Sequence, residues 1–299
     1  MDQFSISQLA QFSGIKAHTI RIWEQRYQAL HPHRSEGNTR YYDGNQLRRL
    51  LNIVSLSNTG KKVSRLCAMS DEELFKMVNE YAAEAIQQTD FQYFVSQLIS
   101  AGMTYDEFNF HKIFSHCQLR FGLQDTYKEV IYPLLDRIGL MWMSNSMPPS
   151  QEHYISNLLC QKLFTAIDAL SLAKEENETW VLFLPENEFH ELGLLFANYL
   201  LRSKGQKVIY LGPNVPIGSV QSTLSDTKAD NLLLFLVHGD FSEKHQEYLE
   251  ELKSLGEGTK VWIAANASFK EEAAKDNSIN WLFSADDLEE KLGTLTVNT

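Results

Sequence analysis

Hydrophobic residues spaced by three and four open the chain and predict a series of short helices over residues 4–70. The first helix begins after Ser5, a favourable N-cap, and ends at Gly14, while the second covers residues 17–27. A turn-rich loop and a short extended piece follow, and Asp43 then caps a third helix. The pattern predicts two helices joined by a tight turn, followed by a loop that folds back as a wing.

The middle of the chain, residues 71–173, keeps the helical spacing and lacks a convincing alternation of apolar and polar residues. Breaks fall at Thr89-Asp90, Gly102, Gly122 and Met147-Pro148-Pro149. They divide the segment into four or five helices, which most simply form a four-helix-type bundle.

The last segment follows a charged linker at residues 174–178 and alternates short apolar runs with helical patterns such as 188–201 and 243–252. The apolar runs predict buried parallel strands at residues 180–184, 208–211, 232–237, 261–264 and 281–283. Alternating strands and helices predict a doubly wound, flavodoxin-like parallel sheet. We therefore expect a multidomain α and α/β protein, with domains at residues 1–70, 71–173 and 178–299.

Charge is distributed unevenly between the first domain and the rest of the chain. The net charge of −11 alone argues against a nucleic-acid partner. Residues 1–66, however, carry ten Lys/Arg and four Asp/Glu, or +6, which leaves −17 for the remainder. A small basic head (residues 1–70) on a large acidic body (residues 71–299) is typical of a polyanion-binding head, although a solvated basic face would give the same count.

Composition excludes several other classes of protein. No apolar run approaches the roughly 20 residues of a membrane span. The N-terminus, Met1-Asp2-Gln3-Phe4, lacks the basic start and apolar stretch of a signal peptide. Three cysteines, Cys67, Cys117 and Cys160, are too few and too scattered for a disulfide framework. We expect a soluble cytoplasmic protein with no membrane partner.

Long polar side chains on the second helix and in the loop are suited to contacting DNA. In a major groove, Arg reads guanine, whereas Thr and Gln reach phosphates or adenine. Basic side chains in the loop neutralise phosphates. Glu24 is expected to orient Arg21 or Arg26. The DNA-binding candidates are Thr19, Arg21, Ile22, Gln25 and Arg26 on the helix, and Arg34, Asn38, Thr39, Arg40 and Tyr42 in the wing.

Many fixed offsets in the head resemble the winged helix-turn-helix of the MerR family of regulators. The matching segments are Gly14-Ile15-x-x-x-Thr19-Ile20-Arg21-x-Trp23-Glu24-x-Arg26-Tyr27, Leu30-x-Pro32-x-Arg34 and Thr39-Arg40-Tyr41-Tyr42. The resemblance implies that a dimer binds a palindromic double-stranded operator. MerR activators usually continue into a long dimerisation helix, whereas Ser70-Asp71-Glu72-Glu73 begins a bundle here, so we expect dimerisation elsewhere.

The body contains two candidate sites. Trp142 is followed after nine residues by Glu152-His153, and together they offer an aromatic plane, a carboxylate and an imidazole. They suit a flat, hydroxyl-bearing ligand, but a core tryptophan beside a surface Glu-His pair has the same spacing. The second site, Glu188-Phe189-His190-Glu191-Leu192-Gly193, directly follows the first predicted strand, where doubly wound sheets bind ligands.

An imidazole at that edge is a natural metal ligand, and a carboxylate two residues earlier can fix its tautomer. His190 is therefore the metal-ligand candidate and Glu188 its partner, with a surface histidine as the alternative. No thiolate or second histidine lies at ligand spacing, which disfavours a zinc site.

The two sites together resemble the cobalamin-binding module. Its pattern is Trp-x9-Glu-His in a helical bundle, followed by Asp/Glu-x-His-x-x-Gly after the first strand of an α/β domain. With the head, the whole chain resembles light-sensing MerR-family regulators of the CarH, CarA and LitR type. The resemblance implies that His190 binds the cobalt of adenosylcobalamin, that Glu188 and Gly193 complete the loop, and that Trp142, Glu152 and His153 enclose the adenosyl group.

Two features depart from that module, the lining of the tail slot and the residue after Trp142. A Ser near the third strand and a Gly-Gly after the fourth normally line a slot for the cofactor's nucleotide tail. Here His238-Gly239-Asp240 and Ala264-Ala265-Asn266 stand in those places, so larger side chains are expected to narrow the slot. Met143 follows Trp142 where a light-sensing member carries a histidine able to capture cobalt after photolysis.

The resulting expectation is a non-enzymatic DNA-binding repressor that senses adenosylcobalamin and light through changes in a dimer or tetramer. One alternative keeps the head and makes the body a cofactor-free module for dimerisation or for binding an antirepressor protein. A cobalamin enzyme component is another class, but three domains already use the full length and the basic head has no place in it.

Overall fold

The computed structural model describes residues 4–34, 40–57, 60–78, 91–143, 147–173, 177–236, 243–255, 258–275 and 278–295. The chain separates into two compact units, Met1–Ile155 and Ser156–Thr299, and each is described by itself. The division of the chain into three domains stays a prediction. No helix in the described ranges is both long enough and apolar enough to cross a membrane.

The head begins with α1 (Ile6–Ser13) and α2 (Ala17–Tyr27), as predicted. Ser5 and Gln8 form a reciprocal capping box at the start of α1, and Gly14 ends the helix with a φ of 71°. That left-handed conformation is one that glycine adopts without a Cβ penalty, so the turn between the two helices can be tight.

A hairpin connects α2 to the third helix. Its strands β1 (His33–Arg34) and β2 (Arg40–Tyr41) pair antiparallel, as expected for a wing. Asp43 accepts a hydrogen bond from the backbone N–H of Gln46 at 2.9 Å and so caps α3 (Gly44–Ser57), which α4 (Val63–Cys67) follows.

The rest of the first unit is helical, in agreement with the spacing. Its elements are α5 (residues 71–78), α6 (Phe91–Met103), α7 (Glu107–Thr126), a π-helical turn (Tyr127–Ile131), α8 (Tyr132–Met143) and the start of α9 (Pro149–Asp168). Gly122, with a φ of 77°, interrupts the helical geometry inside α7 at the predicted position. The π-helical turn has no counterpart in the prediction, since its apolar spacing matches that of an α-helix.

The head packs directly on the bundle within this unit. Helix α3 contacts α6, and α1 contacts α8. The Gln97 amide donates to Oδ1 of Asn52 at 3.5 Å, and a Cβ built on Gly14 would lie 3.9 Å from the Arg137 guanidinium. Arg49 of α3 donates to the carbonyls of Ala29, Cys67 and Met69 and pairs with Asp71, which fixes the start of α5 on the head.

The second unit is a five-stranded parallel sheet with helices, in agreement with the predicted doubly wound fold. Its strands are β3 (Thr179–Pro185), β4 (Lys207–Val215), β5 (Asn231–Leu236), β6 (Lys260–Ala265) and β7 (Asn280–Leu282). Its helices after α9 are α10 (Glu191–Ser203), α11 (Ile217–Thr227), α12 (Glu243–Ser254), α13 (Lys270–Ala273), which follows a 3-10 turn (Ala267–Phe269), and α14 (Ala285–Leu295).

The strand order is β4-β3-β5-β6-β7, with all neighbours parallel. The chain moves outward from β3 to β4 and then crosses back to β5, so the order reverses between β3 and β5. In open parallel sheets, ligands bind at the carboxyl edge beside such a reversal. The predicted helix over 188–201 begins only at Glu191, which leaves residues 186–190 as a loop at that edge.

Gly193, in the first turn of α10, allows this helix to lie close to the sheet. A Cβ at that position would come within 2.7 Å of Cε1 of Phe235 on β5. The described contact of Gly193 is thus a packing contact between helix and sheet.

We predict that Gly193→Ala lowers the stability of the second unit. Overpacking typically costs about 1–3 kcal/mol, which exceeds the roughly 1 kcal/mol gained by replacing a helical glycine with alanine. Gly218→Ala, also in a first helical turn but with nothing within 4 Å of its Cβ, is the matched control. Urea unfolding followed by tryptophan fluorescence tests this, and equal midpoints for the two variants would contradict it.

Candidate functional sites

The exposed face of α2 presents most of the predicted base-reading residues. Arg21, Ile22, Gln25 and Arg26 are exposed, Thr19 is half-buried, and Ile20 is buried on the opposite side of the helix. The helix therefore anchors itself through its apolar side and offers its long polar side chains outward, as a recognition helix must.

The wing presents two of the predicted phosphate contacts. Arg34 and Arg40 are paired across the hairpin, and both are exposed. His33 stacks on Tyr41, with ring centroids 5.3 Å apart, and its Nε2 lies 3.2 Å from Oδ2 of Asp43. Two other predicted contacts, Asn38 and Thr39, lie outside the described residues.

Tyr42 does not have the predicted role of a DNA contact, because its side chain is fully buried. Its hydroxyl donates to Oε2 of Glu24 at 2.7 Å, and Nε of Arg40 lies 3.6 Å from Oε1 of the same carboxylate. Burial, together with the Glu24 carboxylate, raises the pKa of Tyr42, so the phenol stays a neutral donor. Glu24 thus joins α2 to the wing, and the expectation that it orients Arg21 or Arg26 was wrong.

The backbone of Tyr42 ties the wing to the start of the chain. Its N–H donates to the carbonyl of Phe4 at 2.8 Å, and its carbonyl accepts from the N–H of Phe4 at 2.7 Å. Phe4 packs edge-on against Phe12 of α1. Backbone and side chain together connect the wing to both helices of the helix-turn-helix.

In the bundle, Trp142 lies at the end of α8, and Glu152 and His153 lie in the first turn of α9. The side chain of Trp142 is 54% exposed, whereas a tryptophan that belongs to a core is largely buried. Nδ1 of His153 lies 3.1 Å from Oε2 of Glu152, and the imidazole is largely exposed. The structure thus leaves an aromatic plane and a carboxylate–imidazole pair accessible in this unit.

At the carboxyl edge of the sheet, the loop after β3 holds His190 through one carboxylate. Oε1 of Glu188 accepts the backbone N–H groups of Phe189 at 2.8 Å and His190 at 2.9 Å, and it lies 2.6 Å from Nδ1 of His190. Nδ1 therefore carries the proton, and Nε2 holds the lone pair with which an imidazole binds a metal. The side chain of Glu188 is 12% exposed and that of His190 is 56% exposed, so a mostly buried carboxylate holds an exposed imidazole ring.

The end of β4 fixes the backbone of this loop. Oδ1 of Asn214 accepts from the N–H of Asn187 at 2.9 Å, and the N–H of Asn214 donates to the carbonyl of Glu188 at 3.1 Å. Asn187 and Asn214 both have positive φ, 66° and 57°, which asparagine tolerates better than most residues. The hydroxyl of Tyr210 further donates to Glu191 at 2.8 Å and attaches α10 to the same strand.

A cavity of about 330 Å³ opens beside the loop, where the strand order reverses. It combines apolar side chains from the strand ends with carboxylates and the ring of Tyr248, whose hydroxyl is buried and has no hydrogen-bond partner among the described residues. The lining residues are Pro185, Glu186, Asn187, Glu188, Val215, Ile217, Phe235, Leu236, Tyr248 and Glu251. Such a cavity suits a planar group with a polar edge.

The residues predicted to narrow the tail slot are only partly described. His238 lies outside the described residues. Ala265 is half-buried at the end of β6, and Oδ1 of Asn266 accepts the N–H of Ser268 at 2.8 Å to cap the 3-10 turn. Neither residue lines the cavity.

Comparison with known families identifies the head. The pattern of the MerR HTH family regulatory proteins matches residues 4–71. This segment is a MerR-type helix-turn-helix domain. In helix-turn-helix domains the second helix is the one that enters the major groove of DNA, and α2 has that place in the element order here.

Two regulators resemble the chain over most of its length. The HTH-type transcriptional repressor CarH of Myxococcus xanthus is 25% identical over 274 residues, which cover 90% of this chain and 91% of CarH. The HTH-type transcriptional repressor CarA of the same organism is 27% identical over 248 residues, which cover 82% of this chain and 81% of CarA.

Among solved structures, the monomethylamine corrinoid protein of Methanosarcina barkeri shares the fold of the body. The TM-score is 0.54 at 14% identity, and the match covers 68% of this chain and 99% of that protein. The similarity supports a helical segment followed by a Rossmann-like parallel sheet, as the element order shows.

Sequence reasoning missed the residues that hold the site residues in place. Glu24 and Tyr42 are 18 positions apart, and Asn187 and Asn214 are 27 apart. No local pattern joins such pairs. The Gly212-Pro213-Asn214 sequence, which lies in the last part of β4, was the one available signal, because asparagine after glycine and proline is frequent where the backbone needs a positive φ.

We predict that Tyr42→Phe destabilises the MerR-type domain by about 1–3 kcal/mol, because a buried carboxylate oxygen loses its donor. Tyr41→Phe, which removes a hydroxyl from the neighbouring half-buried ring, is the matched control and should change stability little. Thermal unfolding measures both variants. Equal melting temperatures for Tyr42→Phe and wild type would show that the Glu24–Tyr42 bond contributes nothing.

Proposed function

We propose that the chain is a DNA-binding transcriptional repressor whose body holds a cobalamin and changes its assembly in response to it. One observation carries the proposal: a MerR-type domain and a carboxylate-anchored histidine at the carboxyl edge of a doubly wound sheet occur in the same chain. The similarity to two transcriptional repressors over most of the chain supports the same conclusion.

The DNA-binding part follows from the exposed side chains of the head. Arg21, Gln25 and Arg26 project from α2, and Arg34 and Arg40 project from the wing. Phosphate contacts by the arginines would provide affinity, and contacts from the middle of α2 would provide specificity. Two copies of the domain would read the two halves of a palindromic operator, in a dimer or a tetramer.

The residues at the sheet edge fit the lower face of a cobalamin. Nε2 of His190 is the donor that a cobalt ion takes, and Glu188 holds the ring in the required tautomer. The adjacent cavity, with the apolar side chains of Val215 and Phe235 and the buried Tyr248 hydroxyl among its lining, suits the planar base of the nucleotide tail. Ala265 and Asn266 do not line it, so these two residues leave this space open.

We further propose that the upper face meets Trp142, Glu152 and His153, and that the cofactor is adenosylcobalamin. Bound in this form, the cofactor supplies a cobalt–carbon bond that visible light breaks. Trp142 would cover the adenosyl group with its exposed ring, and Glu152 would accept from a ribose hydroxyl. Loss of these contacts would destabilise the assembly and lower the avidity for the operator, since linked domains bind with a high effective concentration.

A cofactor-free body that binds an antirepressor protein is the competing proposal. It predicts no special geometry at residues 188–190. Oε1 of Glu188 lies 2.6 Å from Nδ1 of His190, and the same oxygen accepts two backbone N–H groups. This geometry favours the cofactor-binding alternative.

We predict that Arg21→Ala weakens operator binding and lowers the slope of log K against log salt by about one, because one phosphate contact is lost. Lys207→Ala, which removes an exposed charge in the second unit, should leave the slope unchanged. Fluorescence anisotropy over a range of salt concentrations measures both. A slope equal to wild type for Arg21→Ala would contradict the assignment of this arginine.

We predict that His190→Ala changes the absorption spectrum of bound cobalamin, because the imidazole that would hold the cobalt is lost. His31→Ala, which alters an exposed histidine of the head, should keep the wild-type spectrum. Spectra are recorded after dark incubation with adenosylcobalamin and desalting. Identical spectra for His190→Ala and wild type would mean that His190 is a surface histidine.

A further inference from the structure

The exposed residues of α2 are arranged around the helix in an order that differs from their order in the sequence. The exposed positions between Ala17 and Tyr27 nearest the DNA-facing side are 18, 21, 22, 25 and 26. At 100° per residue they cover an arc of about 140°, with Arg21 at one edge and Arg26 at the other. His18 lies nearest the middle of the arc, and Ile22 and Gln25 lie at equal angles on either side of the middle, with Gln25 toward Arg21.

This order separates long cationic side chains from shorter ones. A helix in the major groove has phosphates on both sides and base edges beneath its centre. Arg21 and Arg26, at the two edges, have the length and charge to reach the flanking phosphates. Short side chains contact bases only from the middle of the face, where the helix approaches the groove floor most closely.

Ile22 is the apolar member of this polar face and is 38% exposed. Single exposed apolar residues are common on protein surfaces, but this one lies near the middle of the recognition face, inside the two arginines. The polar side chains beside it can form hydrogen bonds with base edges, whereas an isoleucine can contribute only an apolar contact. In the major groove, the apolar group that a base presents is the C5-methyl of thymine.

We propose that Ile22 packs against a thymine methyl group in each half of the operator and thereby selects a T·A pair at that position. The inference rests on the proposed DNA-binding function and adds a base preference to it. Burying one methyl group contributes enough to change affinity about fourfold for each half-site.

The test uses the full-length protein and a duplex selected by it from a random library. Each thymine of the selected duplex is replaced in turn by deoxyuridine, which removes only the methyl group. One position in each half-site should weaken wild-type binding about fourfold. Ile22→Ala should bind the thymine and deoxyuridine duplexes equally, because its side chain no longer reaches the methyl.

Two variants serve as controls. Ile22→Val keeps a branched apolar side chain and should retain part of the discrimination. Gln25→Ala should weaken binding but keep the full discrimination between thymine and deoxyuridine. Because Ile22 is exposed, Ile22→Ala should melt at the wild-type temperature.

Three results would overturn the inference. The selected duplex could lack a thymine in its half-sites. Wild type could bind every deoxyuridine duplex as tightly as the thymine duplex. Ile22→Ala could discriminate between thymine and deoxyuridine as wild type does. Each of these leaves the proposed DNA-binding function intact. If wild type enriches no sequence from the library, the proposed function fails, and this inference fails with it.

Discussion

The Glu188 carboxylate is the group on which the proposed sensor depends. One oxygen accepts two backbone N–H groups and also the Nδ1 proton of His190. The backbone bonds fix where the carboxylate lies, and the carboxylate then fixes both the tautomer and the direction of the imidazole. An exposed histidine would otherwise rotate freely, and a metal ligand that must be ordered on binding loses affinity to that entropy.

A comparable arrangement holds the proposed DNA-binding surface together. Glu24 on α2 accepts from the buried Tyr42 hydroxyl and lies near Arg40, so helix and wing share one carboxylate. Charge-assisted bonds of this kind are stronger than neutral ones, and here they keep the two contact surfaces at a fixed spacing. The packing of α1 and α3 on the bundle extends the same rigid framework.

Much of this fold could be predicted from the sequence because its signals are local. Ser5, Gly14 and Asp43 mark helix ends through their own side chains or lack of one. The apolar runs located the five strands within one residue at each end, except that β4 extends four residues beyond its run. Burial of Tyr42 and the partner of Glu24 could not be predicted, since both depend on contacts across 18 residues. The start of α10 at Glu191 instead of residue 188 could not be predicted either. The Glu188 carboxylate accepts the backbone N–H of His190, a group that a longer helix would include.

The most direct test of the account compares operator affinity and particle size before and after green light, for protein loaded with adenosylcobalamin in the dark. Size-exclusion chromatography and fluorescence anisotropy on the same sample give both quantities. The account predicts retained cobalamin absorption, a larger particle in the dark, and a loss of operator affinity when light reduces its size. A colourless protein whose size and affinity are the same in dark and light would contradict it.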